Sequence, residues 1–241
     1  LKIFGMISFF LPVRKGSKRI KNKNTKKIGK YKFGLLEIKI KQFSKLRNRL
    51  KNIRKFSNCE FIISTDCKTT IKYCNQFKWI RIHNRTPNLS GDHSLQKLIE
   101  QVPKIVKKNM ILWTHVTSPL FKAENYIDFI NFYLNQKKKF NSQSAFTCET
   151  INKFVMNEKN EFISHNEKKI KWPRTQDLKK MYLINSAAFI ATKEVYIKNS
   201  NRLCKKPMKY ECKNYIGFDI DDNDNFLYFS NLIKKNFFKL S

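Results

Sequence analysis

No two of the six cysteines (Cys59, Cys67, Cys74, Cys148, Cys204 and Cys212) form a C-x-x-C pair, and the four histidines, His83, His93, His115 and His165, stand apart. That spacing excludes the usual zinc frameworks. Neither a G-x-x-x-x-G-K-[ST] loop nor a G-x-G-x-x-G fingerprint is present, so the two common glycine-rich nucleotide cradles are missing. No apolar run is long enough to span a bilayer; the N-terminal patch, Met6 to Val13, leads straight into basic residues. A cytoplasmic protein with reduced thiols and no membrane insertion is expected. The chain opens on Leu1 rather than Met, which makes Met6 a candidate first residue. Acidic residues are also scarce, 18 against 50 Lys and Arg, for a net charge of +32. Such a charge by itself suggests a polyanionic partner bound through counterion release. The lysines, however, are spread along the whole chain, as on a solvated basic surface, and no nucleic-acid partner is expected.

What is present is enough to fold. Hydrophobic residues make up 41% of the 241 positions and aromatics 14%, which supports one substantial core and a single domain over residues 1–241. Short apolar runs alternate with helix-period segments. The runs "ISFF" from Ile7, "EFIIS" from Glu60, "KWIRI" from Lys78 and "MILWT" from Met110 read as strands. Leu36, Ile40, Phe43, Leu46, Leu50 and Ile53 fall on one helical face, as do Leu95, Leu98, Ile99, Val102 and Ile105 despite Pro103. This alternation predicts a three-layer α/β/α domain around a mostly parallel sheet, with ligands at the carboxyl ends of its strands. Residues 142–175 break the pattern: they look like strands and a hairpin with no long helix, and read as a small insertion, an arm suited to pairing two subunits. "NSAAFIAT" from Asn185 and "YIGFDI" from Tyr215 return to strand, and a helix follows Asp222.

The stretch "FLPVRKGSKRIKNKN", Phe10 to Asn24, carries six basic residues behind the first strand. A loop there can turn backbone N–H groups and cationic side chains toward an anion; composition alone leaves a solvated turn equally open. Its order, R-x-G-S-K-R-x-x-x-K-N, resembles the nucleotide loop of the CMP-sugar synthetases, most closely the acylneuraminate cytidylyltransferases. The resemblance implies a Rossmann-like nucleotidyltransferase fold, with Arg14, Ser17, Lys18, Lys23 and Asn24 around the triphosphate and cytosine of CTP. Lys21 stands where that family often has proline.

Further matches follow in order. "ISTD" (Ile63 to Asp66) looks like the end of the family's second strand, and "RTPNLSGDHS" resembles a loop placing Arg85 and Asp92 near the nucleotide. "THVTSPL" is similar to L-Q-P-T-S-P-L, with His115 and Val116 in place of Gln and Pro; the resemblance implies sugar contacts from His115, Thr117 and Ser118. For His115 a polar residue ending a strand is the plainer alternative. "PRTQDLKKMYLINSAAFI" looks like R-x-Q-D-L followed by N-G-A-I-Y-I. It implies further sugar contacts from Arg174, Gln176 and Asn185, with Ser186 in place of Gly and Thr175 at a position often basic.

"FDIDDNDNFLYFSNLI" sets Asp219 and Asp221 two residues apart, and strand geometry would point both to one side. Two such carboxylates suit Mg²⁺ bridging phosphate oxygens; read alone, the same pattern is more commonly a helix cap and dipole partner. Its likeness to the family's D-I-D-T-x-x-D-L implies the metal role. Asp222 and Asp224 read as capping and surface residues. The function so implied is Mg²⁺-dependent transfer of CMP from CTP to an acidic nine-carbon 2-keto-3-deoxy sugar. Arg14, Lys18 and Asp221 are the catalytic candidates, and the active form implied is a homodimer whose product feeds surface polysaccharide or protein glycosylation. Alternatives are the eight-carbon substrate Kdo, a synthetase disabled by its departures, and a non-catalytic basic RNA- or polyanion-binding protein.

Overall fold

The structure, a computed structural model, describes residues 7–53, 56, 58–91, 94–238 and 240. Its centre is a seven-stranded sheet in the order β3-β2-β1-β4-β6-β5-β7. The strands are β1 (Ile7–Pro12), β2 (Glu60–Thr65), β3 (Ile80–Asn84), β4 (Met110–Thr114), β5 (Ser144–Ile151), β6 (Met181–Thr192) and β7 (Met208–Glu211). Six run in one direction and β6 runs against both its neighbours, so the mostly parallel sheet expected from the alternation is present. The helices are α1 (Gly34–Lys51), α2 (Lys68–Cys74), α3 (Leu95–Ile105), α4 (Ala123–Gln136), α5 (Lys193–Asn199) and α6 (Asn223–Lys234).

Strand pleating sends alternate side chains to opposite faces, and both faces are apolar. Phe9, Leu11, Phe61, Ile63 and Leu112 enter one cluster with Leu46 of α1, Tyr126 of α4 and Phe229 of α6. Phe10, Ile62, Ile111 and Trp113 enter the other with Leu98 and Val102 of α3 and Tyr196 of α5. Two layers of helix therefore close over one sheet. Among the described residues no helix is long and apolar enough to cross a membrane.

Three expectations change. Ser144–Ile151, placed in the insertion by the sequence reading, is a strand of the central sheet. Its Ala145 and Phe146 are buried in opposite clusters, a role that local composition does not advertise. Only the stretch from 152 to 180 departs from the layers, joined by the Met156–Phe162 bridge and a group of rings, Phe154, Phe162, His165 and Trp172. "YIGFDI" is no strand: Asn214–Gly217 is a 3-10 turn, and the irregular backbone beyond it bonds to the loop after β4, Ile220 N–H donating to Thr117 O at 2.8 Å. The sheet position beside β5 goes to Met208–Glu211, which the sequence reading missed.

The chain runs from β1 to β2 and β3 on one side, then returns to β4 on the other. The gap beyond the carboxyl ends of β1 and β4 is therefore the switch point of the sheet. The basic loop is folded over it. Ile20, 4% exposed, pins the loop to the core, and Leu36 N–H donates to Asn24 O at 2.9 Å, tying it to α1. Gly34 opens that helix at φ +51°, where a Cβ would stand 2.0 Å from the Lys26 carbonyl oxygen, so only glycine fits.

Candidate active site

A cleft of about 550 Å³ lies at this switch point. Arg14, Ser17, Lys18, Lys23 and Asn24 line one wall; Arg85, His115, Thr117, Asp219 and Asp221 complete it. Its size suits a nucleotide-sized ligand.

The basic wall is built by the ends of β1 and β2. Val13 N–H donates to Ser64 O at 2.8 Å, and Lys15 N–H to Asp66 Oδ1 at 2.6 Å, which holds the loop open over the sheet. Asn24 Nδ2 donates to the Arg14 carbonyl at 3.2 Å, so the loop closes on itself. Arg85 follows β3, and its Nε donates to Ser64 Oγ at 3.0 Å. Its Nη2 is buried without a hydrogen-bond partner. Burial, opposed by Asp66, pushes this guanidinium down to about 10, and it stays a cation at neutral pH. A buried cationic N–H without an acceptor is costly, and an anionic ligand in the cleft would supply one.

Opposite stand the two carboxylates. They share the cleft as the sequence reading expected, but through an irregular segment rather than a strand. Lys23 Nζ donates to the Ile220 carbonyl at 2.6 Å, which locks the segment between the two aspartates onto the basic loop. Asp221 Oδ1 lies 3.6 Å from Arg19 and 3.9 Å from Lys23. Asp219 sits deeper, beside Thr117, and its Oδ1 is buried without a partner. Burial raises the Asp219 carboxyl to about 6, with the Asp221 charge adding to the rise. An orphaned carboxylate oxygen beside a second carboxylate suits a hard divalent cation. Among the described residues no third His, Cys, Asp or Glu joins them, so such an ion would complete its shell with phosphate oxygens and water. Asp222 caps α6, accepting from Asn225 N–H at 2.8 Å.

The sugar-contact candidates separate. His115 and Thr117 line the cleft. Ser118 lies behind it: its hydroxyl is buried without a partner and its carbonyl accepts from Lys39 Nζ at 2.9 Å. Asn185 is buried, its Oδ1 accepting from Ala187 N–H at 3.3 Å. The cleft is lined instead by the next residue, Ser186. Arg174 and Gln176 are exposed, in and beside the 3-10 turn Thr175–Asp177; Arg174 pairs with Asp177 at 2.9 Å and borders a separate hollow beside Trp172. Asp92 lies outside the described residues, as does Met6. Trp113 and Arg19, which line the cleft, and Lys39 beneath it were missed, since each signals only bulk or charge in the sequence.

The sequence model of the cytidylyltransferase family matches residues 9–221, which spans both walls of the cleft. The chain belongs to that family. The chain is 24% identical over 185 residues to the N-acylneuraminate cytidylyltransferase of Streptococcus agalactiae serotype III, a match covering 72% of the chain and 42% of the relative. The match thus spans about two fifths of that relative's length. Its fold is that of a CMP:2-keto-3-deoxy-manno-octonic acid synthetase solved with CTP, with a TM-score of 0.60 and 13% identity over 95% of this chain and 99% of that one. The 4-diphosphocytidyl-2C-methyl-D-erythritol synthase of Anaerococcus prevotii superposes with a TM-score of 0.63 at 13% identity, covering 95% and 96%.

One departure from the family pattern has a direct physical cost in this chain. Ser186, where the motif has glycine, is held at φ +58°. A side chain in the left-handed region costs about 1–2 kcal/mol, partly offset by the greater unfolded-state entropy of glycine. Ser186→Gly is expected to raise stability by about 1 kcal/mol, measured by urea denaturation; a lower midpoint would show that the hydroxyl contributes more than the strain costs.

Proposed function

We propose that this cytidylyltransferase joins the anomeric hydroxyl of an acidic nine-carbon 2-keto-3-deoxy sugar, a sialic acid or a relative, to the α-phosphorus of CTP. The bond to the β,γ-pyrophosphate breaks, and the products are a CMP-sugar and pyrophosphate. The observation that carries this reading is the facing of a cationic loop and a carboxylate pair across one cleft at the β1/β4 switch point. The N-acylneuraminate activity named for the Streptococcus agalactiae relative supports the choice of sugar.

In this reading Arg14, Lys18 and Lys23 offset the charge of the triphosphate, so that an anionic sugar can approach it. Arg85 places its unpaired Nη2 on the same anion. Enzymes of this kind commonly use a divalent metal, and Asp219 and Asp221 are the residues that would hold Mg²⁺. When bound, the ion polarises the reacting phosphoryl group and offsets charge on the leaving pyrophosphate. Lys23, bonded to Ile220 O, keeps the carboxylates in register with the loop.

Pyrophosphate release from CTP and Mg²⁺ tests this with N-acetylneuraminate, then legionaminate, pseudaminate and Kdo. Release with a nine-carbon acid is the expected result; release with Kdo alone moves the assignment to the eight-carbon substrate. Silence across the panel with CTP bound counts against the sugar assignment. Light scattering on the same sample reads whether the 152–180 arm, where Trp172 is 69% and Ile170 58% exposed, pairs two copies as the reading expects.

A further inference from the structure

We infer that Trp113 and Arg202 fix His115 as a one-way hydrogen-bond donor, so that its Nδ1–H selects an acceptor oxygen, the carboxylate, on the second substrate. The acceptor half of this inference rests on the acidic sugar proposed above; the donor half is a property of the free protein.

Trp113, next to last in β4, is fully buried, with its ring 4.9 Å from that of Phe10. Across the ladder it faces Phe189 of β6. The Arg202 guanidinium covers both rings, 3.8 Å from the Phe189 centroid and 5.0 Å from that of Trp113. Its Nη1 is buried without a hydrogen-bond partner, so the rings are a main tie of this side chain. The indole therefore has one orientation, in which Trp113 Nε1 donates to His115 Nε2 at 2.9 Å.

An indole N–H can only give a hydrogen, so His115 Nε2 must offer a lone pair. In a neutral imidazole the proton then resides on Nδ1. A doubly protonated ring would set two N–H groups against each other. It would also stand among the charges of Arg202, Lys39, Arg85 and Lys23, which together with burial push the imidazole down to about 3. No hydrogen bond to Nδ1 is found among the described residues, and the ring lines the cleft together with Thr117 and Asp219. Trp113 and Arg202 are thus positioning residues, and His115 is a donor that neither accepts nor titrates near neutral pH.

Long-range ¹H–¹⁵N spectra of the free, histidine-labelled protein read the tautomer directly, with His115→Ala assigning the signal. Wild type is expected to show a protonated Nδ1 and a bare Nε2, and Trp113→Phe, which keeps an aromatic ring in the core, a mixture of the two. A protonated Nε2 in wild type, or an unchanged spectrum in Trp113→Phe, overturns the lock. For the acceptor, initial rates are taken at saturating CTP with N-acetylneuraminate as the probe. His115→Ala should raise the sugar KM about 10- to 100-fold, the loss of a hydrogen bond to a charged group, with CTP affinity unchanged. His115→Gln, which restores an N–H donor, should recover most of it. Weakened CTP binding with an unaltered sugar KM overturns the acceptor assignment. Absence of release by wild type with every nine-carbon acid of the panel overturns the proposed sugar, and the acceptor with it, while the spectra decide the lock separately.

Discussion

Asp219→Asn is expected to lower turnover about 10³-fold and, without ligands, to make the protein more stable. The two effects have one origin. The Asp219 carboxyl lies in a poorly solvated pocket, one oxygen without a partner and Asp221 nearby, and is raised from 3.8 to about 6. For an acid whose folded value lies above its unfolded one, the folded state holds the proton more tightly. Its ionisation therefore removes stability as pH rises through the interval from about 4 to about 6, and the full penalty stands at pH 7. Asparagine has no such penalty, and a gain of about 1–3 kcal/mol at neutral pH is expected, vanishing near pH 4. The measurement is a pair of thermal melts, at pH 7 and pH 4.5, beside a turnover assay. With CTP and Mg²⁺ added the order should reverse, because only wild type gains the ligand linkage. An aspartate with a purely structural role would give the opposite result, a lower melting temperature at every pH. Asp221→Ala, at an exposed position, is expected to leave the fold intact and to lose nearly all turnover.

The largest loss of stability is expected at Lys39, on α1 beneath the cleft. This lysine is fully buried, and its Nζ donates to Ser118 O at 2.9 Å, Phe121 O at 3.2 Å and Tyr126 Oη at 3.0 Å. Hydrogen counting fixes the direction of the chain. Thr114 Oγ1 donates to Ala187 O, so Tyr126 must donate to Thr114, leaving its oxygen to accept from Lys39. Three acceptors thus meet the three hydrogens of an ammonium. In Lys39→Met the Ser118 and Phe121 carbonyls lose their donor, at about 1–3 kcal/mol each, and a loss of about 2–5 kcal/mol is expected. Relief of a buried charge works against this. Burial pushes Lys39 down to about 7, so the folded state binds the proton less tightly than the unfolded chain, and wild type gains stability from this group as pH rises from about 7 toward 10.5. The gap between wild type and Lys39→Met should therefore be smallest near pH 6.5 and largest near pH 9.5, read by urea denaturation at each pH. A gap that shrinks with rising pH would contradict the burial argument. Turnover should fall as well, since the same turn carries Thr117 against Asp219.

Much of this architecture is legible in the sequence because it depends on local period. The alternation of apolar runs with 3.6-period faces places β1, β2, β4, α1 and α3 close to where they stand, and a basic loop behind the first strand marks the ligand end of the sheet. Where a segment earns its structure from distant partners, local pattern misleads. Ser144–Ile151 looks like part of an insertion until β6 and β7 pair with it, and "YIGFDI" looks like a strand until Gly217 packs so closely on Asn185 that a Cβ there would stand 2.0 Å from the amide nitrogen.

The site divides the same way. Residue types and their order bring Arg14, Lys18, Lys23, Asp219 and Asp221 to one cleft, yet the strand reasoning for the two aspartates does not hold; Lys23 on Ile220 O sets their direction instead. Ser118 and Asn185 match a motif and turn inward, because burial behind the cleft is decided by Lys39 and Gly217. By itself the sequence determined the order of layers and the chemistry gathered at their edge. Only the tertiary structure decided which oxygens stay dry, which nitrogen of His115 carries the proton and which guanidinium N–H groups lack an acceptor. Those properties depend on contacts between distant segments, Lys23 with Ile220, Lys39 with Ser118 and Arg202 over Trp113, to which a periodicity of two or of 3.6 is blind.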